Sequence, residues 1–133
     1  EKRKDLLKYT EESLFKGLEQ IKHGAFVGDI GEAIYNHATL HKLGVVRELV
    51  GHGVGSNLHE EPDVPNYGFA HTLEVLKEGM VIAVEPMINL GTADVYLLDD
   101  DWTVITADNQ PSAHFEHTVL ITKDGYEILT KRW

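Results

Sequence analysis

The run LVGHGVGSNLHEEPDVPNYG, residues 49–68, surrounds His52 with Gly51, Gly53 and Gly55 and places His59 just beyond them. Such a run cannot hold a stable helix. Its glycines allow close backbone approach and unusual dihedrals around His52, which is thereby presented on an unhindered backbone. Two carboxylates interrupt apolar runs further on, Glu85 in MVIAVEPMI (residues 80–88) and Glu116 in HFEHTVLIT (residues 114–122). An ionised carboxylate buried without a partner costs several kcal/mol, so something must compensate each of them. An edge-strand or arginine-paired carboxylate is the competing reading of either glutamate alone, but only Arg3 and Arg47 precede the C-terminal KRW, and bidentate partners are scarce. One imidazole and two carboxylates on three separate segments make a donor set for a hard or borderline divalent ion, and a carboxylate can bridge two such ions. His59 is followed by Glu60, Glu61 and Pro62, which suits a fixed loop holding an uncoordinated imidazole for hydrogen bonding or proton transfer. A surface histidine is the plainer alternative there. His23, His37, His41, His71 and His117 read as structural or solvated residues, and LLDDDW, residues 97–102, as a solvated turn.

The elements that must position these groups follow from periodicity. In residues 1–22, Leu7, Leu14, Leu18 and Ile21 fall on one helical face, and Gly24 stands as a stop. Asp29 and Glu32 have the spacing of a capping box opening a second helix, with Ile30, Ala33, Ile34 and Ala38 as its apolar stripe and Gly44 as its terminator. VVRELV (residues 45–50), MVIAVEPMI and HFEHTVLIT read as strands. In the last of these, Glu116 shares a face with His114 and Thr118 while Phe115, His117 and Val119 take the other, so one polar group faces the core whichever face is buried. Lys123, Asp124 and Gly125 turn the chain into YEIL as a hairpin. The expected architecture is a single α+β unit over residues 1–133, an antiparallel sheet with two amphipathic helices on one face.

Composition narrows the function classes. A chain of 133 residues buries roughly two thirds of its unfolded surface and so has a proper core. The formal charge of −10, without a basic stripe interleaved with aromatics, argues against nucleic acid as a partner. The absence of cysteine removes disulfides, thiolate metal sites and a cysteine nucleophile, and fits an intracellular setting. No apolar run has the length of a membrane span and no signal-peptide pattern is present. The chain starts EKRKDLL instead of with methionine, which suggests an upstream piece.

GHGVGSNLHEEPDVPNYG, GMVIAVEPMINLGT and WTVITADNQPSAHFEHTVLIT, in that order and at matching separations, resemble successive motifs of the C-terminal half of type I methionine aminopeptidases. The resemblance covers essentially the whole chain, and the pairing of EPMIN with FEHT favours these enzymes over the proline-specific peptidases of the same pita-bread superfamily. It implies half of a pita-bread fold. It makes His52 and Glu85 ligands of one metal, Glu116 a bridge between two, and His59 the histidine that contacts substrate and the tetrahedral intermediate. Leu58 falls where the family often has a phenylalanine lining the methionine pocket, and Trp102 matches a tryptophan near it. The implied cofactors are two divalent ions (Mn, Fe, Co or Zn), and the implied reaction is cytoplasmic hydrolysis of the first peptide bond of a nascent chain. The family's two further ligands are aspartates upstream of the helix matching residues 1–22, outside this sequence. This chain is therefore expected to be inactive alone, to need its N-terminal half, and to be capable of forming a homodimer through the face that half would cover. A non-catalytic interaction module and a metal-independent structural domain are the alternatives, and the upstream sequence separates them from the enzyme.

Overall fold

The computed structural model describes residues 1–57, 59–99 and 104–130. Helix α1 spans Lys2–Leu18 and α2 spans Val27–Leu40. In α1 the buried positions are Leu6, Thr10, Ser13, Leu14, Gly17 and Leu18, a clean helical stripe. Leu7, expected on that face, is 52% exposed, because the stripe runs through its neighbour Leu6. Gly17 is where the helices come together, since a Cβ there would sit 2.8 Å from Cγ1 of Ile34. The capping box at the start of α2 is displaced from its expected position. Phe26 is the N-cap, and Asp29, at the third helical position, accepts a hydrogen bond from the Phe26 N–H. Glu32 instead accepts from the Ala70 N–H, holding the loop after the glycine-rich run against the helix. α2 ends before Gly44, with Lys42 at φ +61° reversing the chain.

Among the described residues ten short strands follow: β1 Gly44–Val45, β2 Gly51–Gly53, β3 Glu60–Val64, β4 Val81–Val84, β5 Met87–Asn89, β6 Val95–Leu97, β7 Val104–Thr106, β8 Ser112–His114, β9 His117–Ile121 and β10 Tyr126–Ile128. All pairings are antiparallel, but they make three sheets and not one: β10-β9-β4-β2-β3, β1-β5-β8, and the β6-β7 ribbon. The hairpin through residues 123–125 forms as expected, with the Thr122 N–H donating to the Gly125 carbonyl. Residues 45–50 are not a strand beyond Val45; Arg47 leaves the sheet to lie over the rings of Tyr67 and Tyr35, 4.5 and 5.6 Å from their centroids.

The two longer apolar runs are each broken in two. β4 belongs to the five-stranded sheet and β5 to the three-stranded one, and β8 and β9 make the same passage in reverse. The register is continuous across the break, with Val84 opposite His117 on one side and Met87 opposite His114 on the other. Glu85 therefore stands opposite Glu116, and Pro86 opposite Phe115, whose N–H donates to the Pro86 carbonyl at 3.3 Å. Proline, lacking an N–H, suits a point where regular pairing stops.

Leu14, Leu18, Val27, Ile30 and Ile34 from the helices pack on Ile82, Val84, Val119 and Ile121 from one face of the larger sheet. His117 points to this face too. It is buried, with Nδ1 2.8 Å from the Thr130 hydroxyl and its ring against Phe15, so it is the polar group that the alternation of β9 turns inward. Among the described residues no helix is long and apolar enough to cross a membrane.

Candidate metal centre

The opposite, helix-free face of the larger sheet carries the candidate site. His52 pairs with Ala83 and Ala83 with Thr118, so these three share a face, and by alternation Glu85 and Glu116 continue it at the corner between the sheets. His52 Nε2 lies 3.4 Å from Glu85 Oε2, and Glu85 in turn hydrogen-bonds Glu116. The three residues expected to act together are thus joined through Glu85.

His52 and the Glu85 segment are each held by a local device. Gly51 and Gly53 bring β2 close to its neighbours, because a Cβ at Gly51 would strike the Ala83 carbonyl oxygen and one at Gly53 the Glu61 carbonyl oxygen. Neither glycine has a positive φ; close approach, not an unusual dihedral, is what the position requires. His52 Nδ1 is 2.9 Å from the Gly53 carbonyl oxygen. A carbonyl can only accept, so Nδ1 donates to it and Nε2, which faces Glu85, is the ring atom left to bind a cation. Asn66, wholly buried, bridges the two flanks by donating from Nδ2 to the carbonyls of Leu49 and Glu85, each at 3.4 Å. The sequence does not single out Asn66. Its neighbours Pro65 and Tyr67 mark a loop, and nothing local reveals a carbonyl-bridging role.

The electrostatics are those of a site built for positive charge. Burial pushes the Glu85 carboxyl up to about 7, the facing charge and hydrogen bond of Glu116 push the same way, and His52 opposes them. No arginine or lysine closes the gap by an ion pair with either glutamate among the described residues, and Arg47 is committed to the tyrosines. Two facing carboxylates with one imidazole lone pair beside them are a nitrogen-and-oxygen donor set that fits a divalent cation. His59 is exposed and stacks on His52, ring centroids 4.0 Å apart and 12° from parallel. Leu58 and Trp102, the expected pocket residues, lie outside the described residues, as do Asp100 and Asp101 of the LLDDDW run.

A second group of ligand-type side chains lies elsewhere. Glu12, His37 and His41 bring one ligand atom each within 4.8 Å of one another, between α1 and α2.

The metallopeptidase family M24 model matches residues 1–123. Methionine aminopeptidase 1 of Bacillus subtilis is 50% identical over 128 residues, which is 96% of this chain and 52% of that protein. The crystal structure of methionine aminopeptidase from Thermotoga maritima superposes with a TM-score of 0.95 at 45% identity, over 99% of this chain and 53% of that one. That from Rickettsia prowazekii gives 0.93 at 48% identity, over 96% and 52%. This chain spans about half the length of each of these relatives. With a match whose span takes in all of His52, His59, Glu85 and Glu116, the chain belongs to metallopeptidase family M24.

Proposed function

We propose that the protein formed with this chain removes the N-terminal methionine of peptides and nascent proteins, the chain being the C-terminal half of a pita-bread catalytic domain. The observation that carries the reading is the facing Glu85–Glu116 pair with His52 Nε2 3.4 Å from Glu85, an arrangement that needs a cation or a proton to be stable. His52 and Glu85 would hold one divalent ion and Glu116 would lie between two, the remaining ligands being aspartates of an upstream half. When bound, such ions polarise the scissile carbonyl and lower the pKa of a water to make it a nucleophile at neutral pH.

The chain's own residues do the rest. The Gly53 carbonyl keeps the His52 proton on Nδ1, so Nε2 is always the donor atom. Asn66 ties the Glu85 carbonyl to the segment leading into β2, so the backbones that carry the carboxylate and the imidazole are linked through one side chain. His59, exposed and stacked on His52, would hydrogen-bond the substrate and the oxyanion that develops as the amide is attacked. Leu58 and Trp102 would line an apolar pocket for the methionine side chain.

The roles are separable. In the complete protein Glu116→Gln lowers divalent-metal affinity, because an amide is a poor bridge, whereas His59→Ala lowers kcat by about 100-fold or more with metal retained. Calorimetric titration with Mn²⁺ beside steady-state kinetics checks both, and equal metal loss in the two variants contradicts the assignment.

A further inference from the structure

Glu12, His37 and His41 belong to the helix layer, which packs on the face of the larger sheet opposite to the one that carries His52, Glu85 and Glu116. They cannot contribute to that centre. His37 and His41 are one helical turn apart at the end of α2, so their imidazoles emerge on one side, and Glu12 reaches across from α1. Glu12 Oε1 is 2.9 Å from His37 Nε2, and the His37 and His41 rings are 4.9 Å apart. Tyr9 stacks on His41 at 3.6 Å and 10° from parallel, fixing that ring in place. All three ligand residues are half-buried, which limits side-chain entropy lost on capture while leaving an approach from solvent. Ligand atoms around a tetrahedral ion with bonds of about 2.0–2.1 Å stand about 3.3 Å from one another, so a group already within 4.8 Å closes with small rotations. The site also sits at the C-terminal end of α2, where the helix dipole favours positive charge.

We propose that Glu12, His37 and His41 form a mononuclear site for a divalent transition metal of the zinc class, which clips α1 to α2 independently of the centre at His52, Glu85 and Glu116. Two imidazoles and one carboxylate leave one position of a tetrahedral ion for water. Zinc and its neighbours late in the first transition row suit imidazole better than calcium or magnesium do.

The test uses the 133-residue chain carrying His52→Ala and Glu116→Gln, which silences the other centre. Zn²⁺ titrated calorimetrically is expected to bind with a stoichiometry of about one and to raise the melting temperature, and adding His41→Ala or the near-isosteric Glu12→Gln to weaken binding at least about tenfold. In the unmutated chain, long-range ¹H–¹⁵N spectra are expected to show the His37 and His41 imidazole signals shifting with Zn²⁺ and returning with chelator. This readout does not depend on the silenced chain folding. Overturning results are an absence of saturable Zn²⁺ binding by the folded silenced chain, binding undiminished by His41→Ala and Glu12→Gln, or imidazole signals of His37 and His41 that ignore Zn²⁺. Any of these would leave an ordinary surface ion pair between Glu12 and His37.

Discussion

Glu85 is the residue on which the site turns. Its carboxyl ionises at about 7 in the folded chain instead of at its ordinary 4.5, first because it is buried and then because Glu116 faces it. Between those two values the folded state holds a proton that the unfolded state has released, so stability declines as pH rises through this window. In chelator, the melting temperature of the chain is therefore expected to fall between about pH 5 and about pH 8, and Glu85→Gln to remove part of that slope. Mn²⁺ at the higher pH should restore it, since a cation then takes the place of the proton. Thermal melts followed by circular dichroism check this, and a slope identical in the Glu85→Gln chain contradicts it. That Glu85 and Glu116 require compensation was legible in the sequence, because a lone carboxylate in an apolar run is a conflict wherever it lies. Their partnership follows only from strand register, which joins residues distant in the chain. The choice of His52 tautomer depends likewise on a carbonyl that periodicity does not reveal.

At the scale of elements, the helices and the final hairpin were legible because their signals are local: a stripe of apolar residues and a turn triplet. The glycines expected as stops do not end the helices, since α1 closes at Leu18, ahead of Gly24, and α2 at Leu40, where Lys42 instead of Gly44 takes the positive φ. The broken strands were not legible. MVIAVEPMI and HFEHTVLIT look like single strands by composition, and their division depends on a passage between two sheets that both make together at Glu85–Pro86 and Phe115–Glu116. The break sets both carboxylates at a corner, where neither sheet's regular alternation buries them among Ile82, Val84 and Val119. On β2 the requirement is close packing. Gly51→Ala forces a methyl onto the Ala83 carbonyl and is expected to destabilise the chain by about 1–3 kcal/mol and to weaken metal binding through displaced His52. Gly125→Ala, whose nearest neighbour would be the Thr122 hydroxyl at 4.0 Å, is expected to change stability by no more than about 0.5 kcal/mol. Chemical denaturation of both variants measures the difference, and equal losses would remove the packing argument.

At the scale of the whole molecule, the chain spans about half the length of its relatives and carries exposed apolar side chains. Tyr96 and Ile105, opposite each other on the β6-β7 ribbon, are 60% and 42% exposed. The edges of the larger sheet are less available, since β3 carries Pro62 among Glu60, Glu61 and Asp63 and β10 is three residues long. Self-association through a face, giving a two-fold dimer tightened by divalent ions, is the expected behaviour of the isolated chain. Light scattering across a dilution series with and without Mn²⁺ measures it, and a strict monomer at high micromolar concentration contradicts it. The proposed function makes this chain half of a two-metal aminopeptidase site. Its most direct test is methionine release from a Met-Ala peptide in Mn²⁺ or Co²⁺, by the chain alone and after mixing with the upstream half. No appreciable release is expected from the chain alone, and mixing is expected to give turnover that Glu85→Gln abolishes; robust release by the purified chain alone, or mixed activity indifferent to Glu85, would contradict the proposed function.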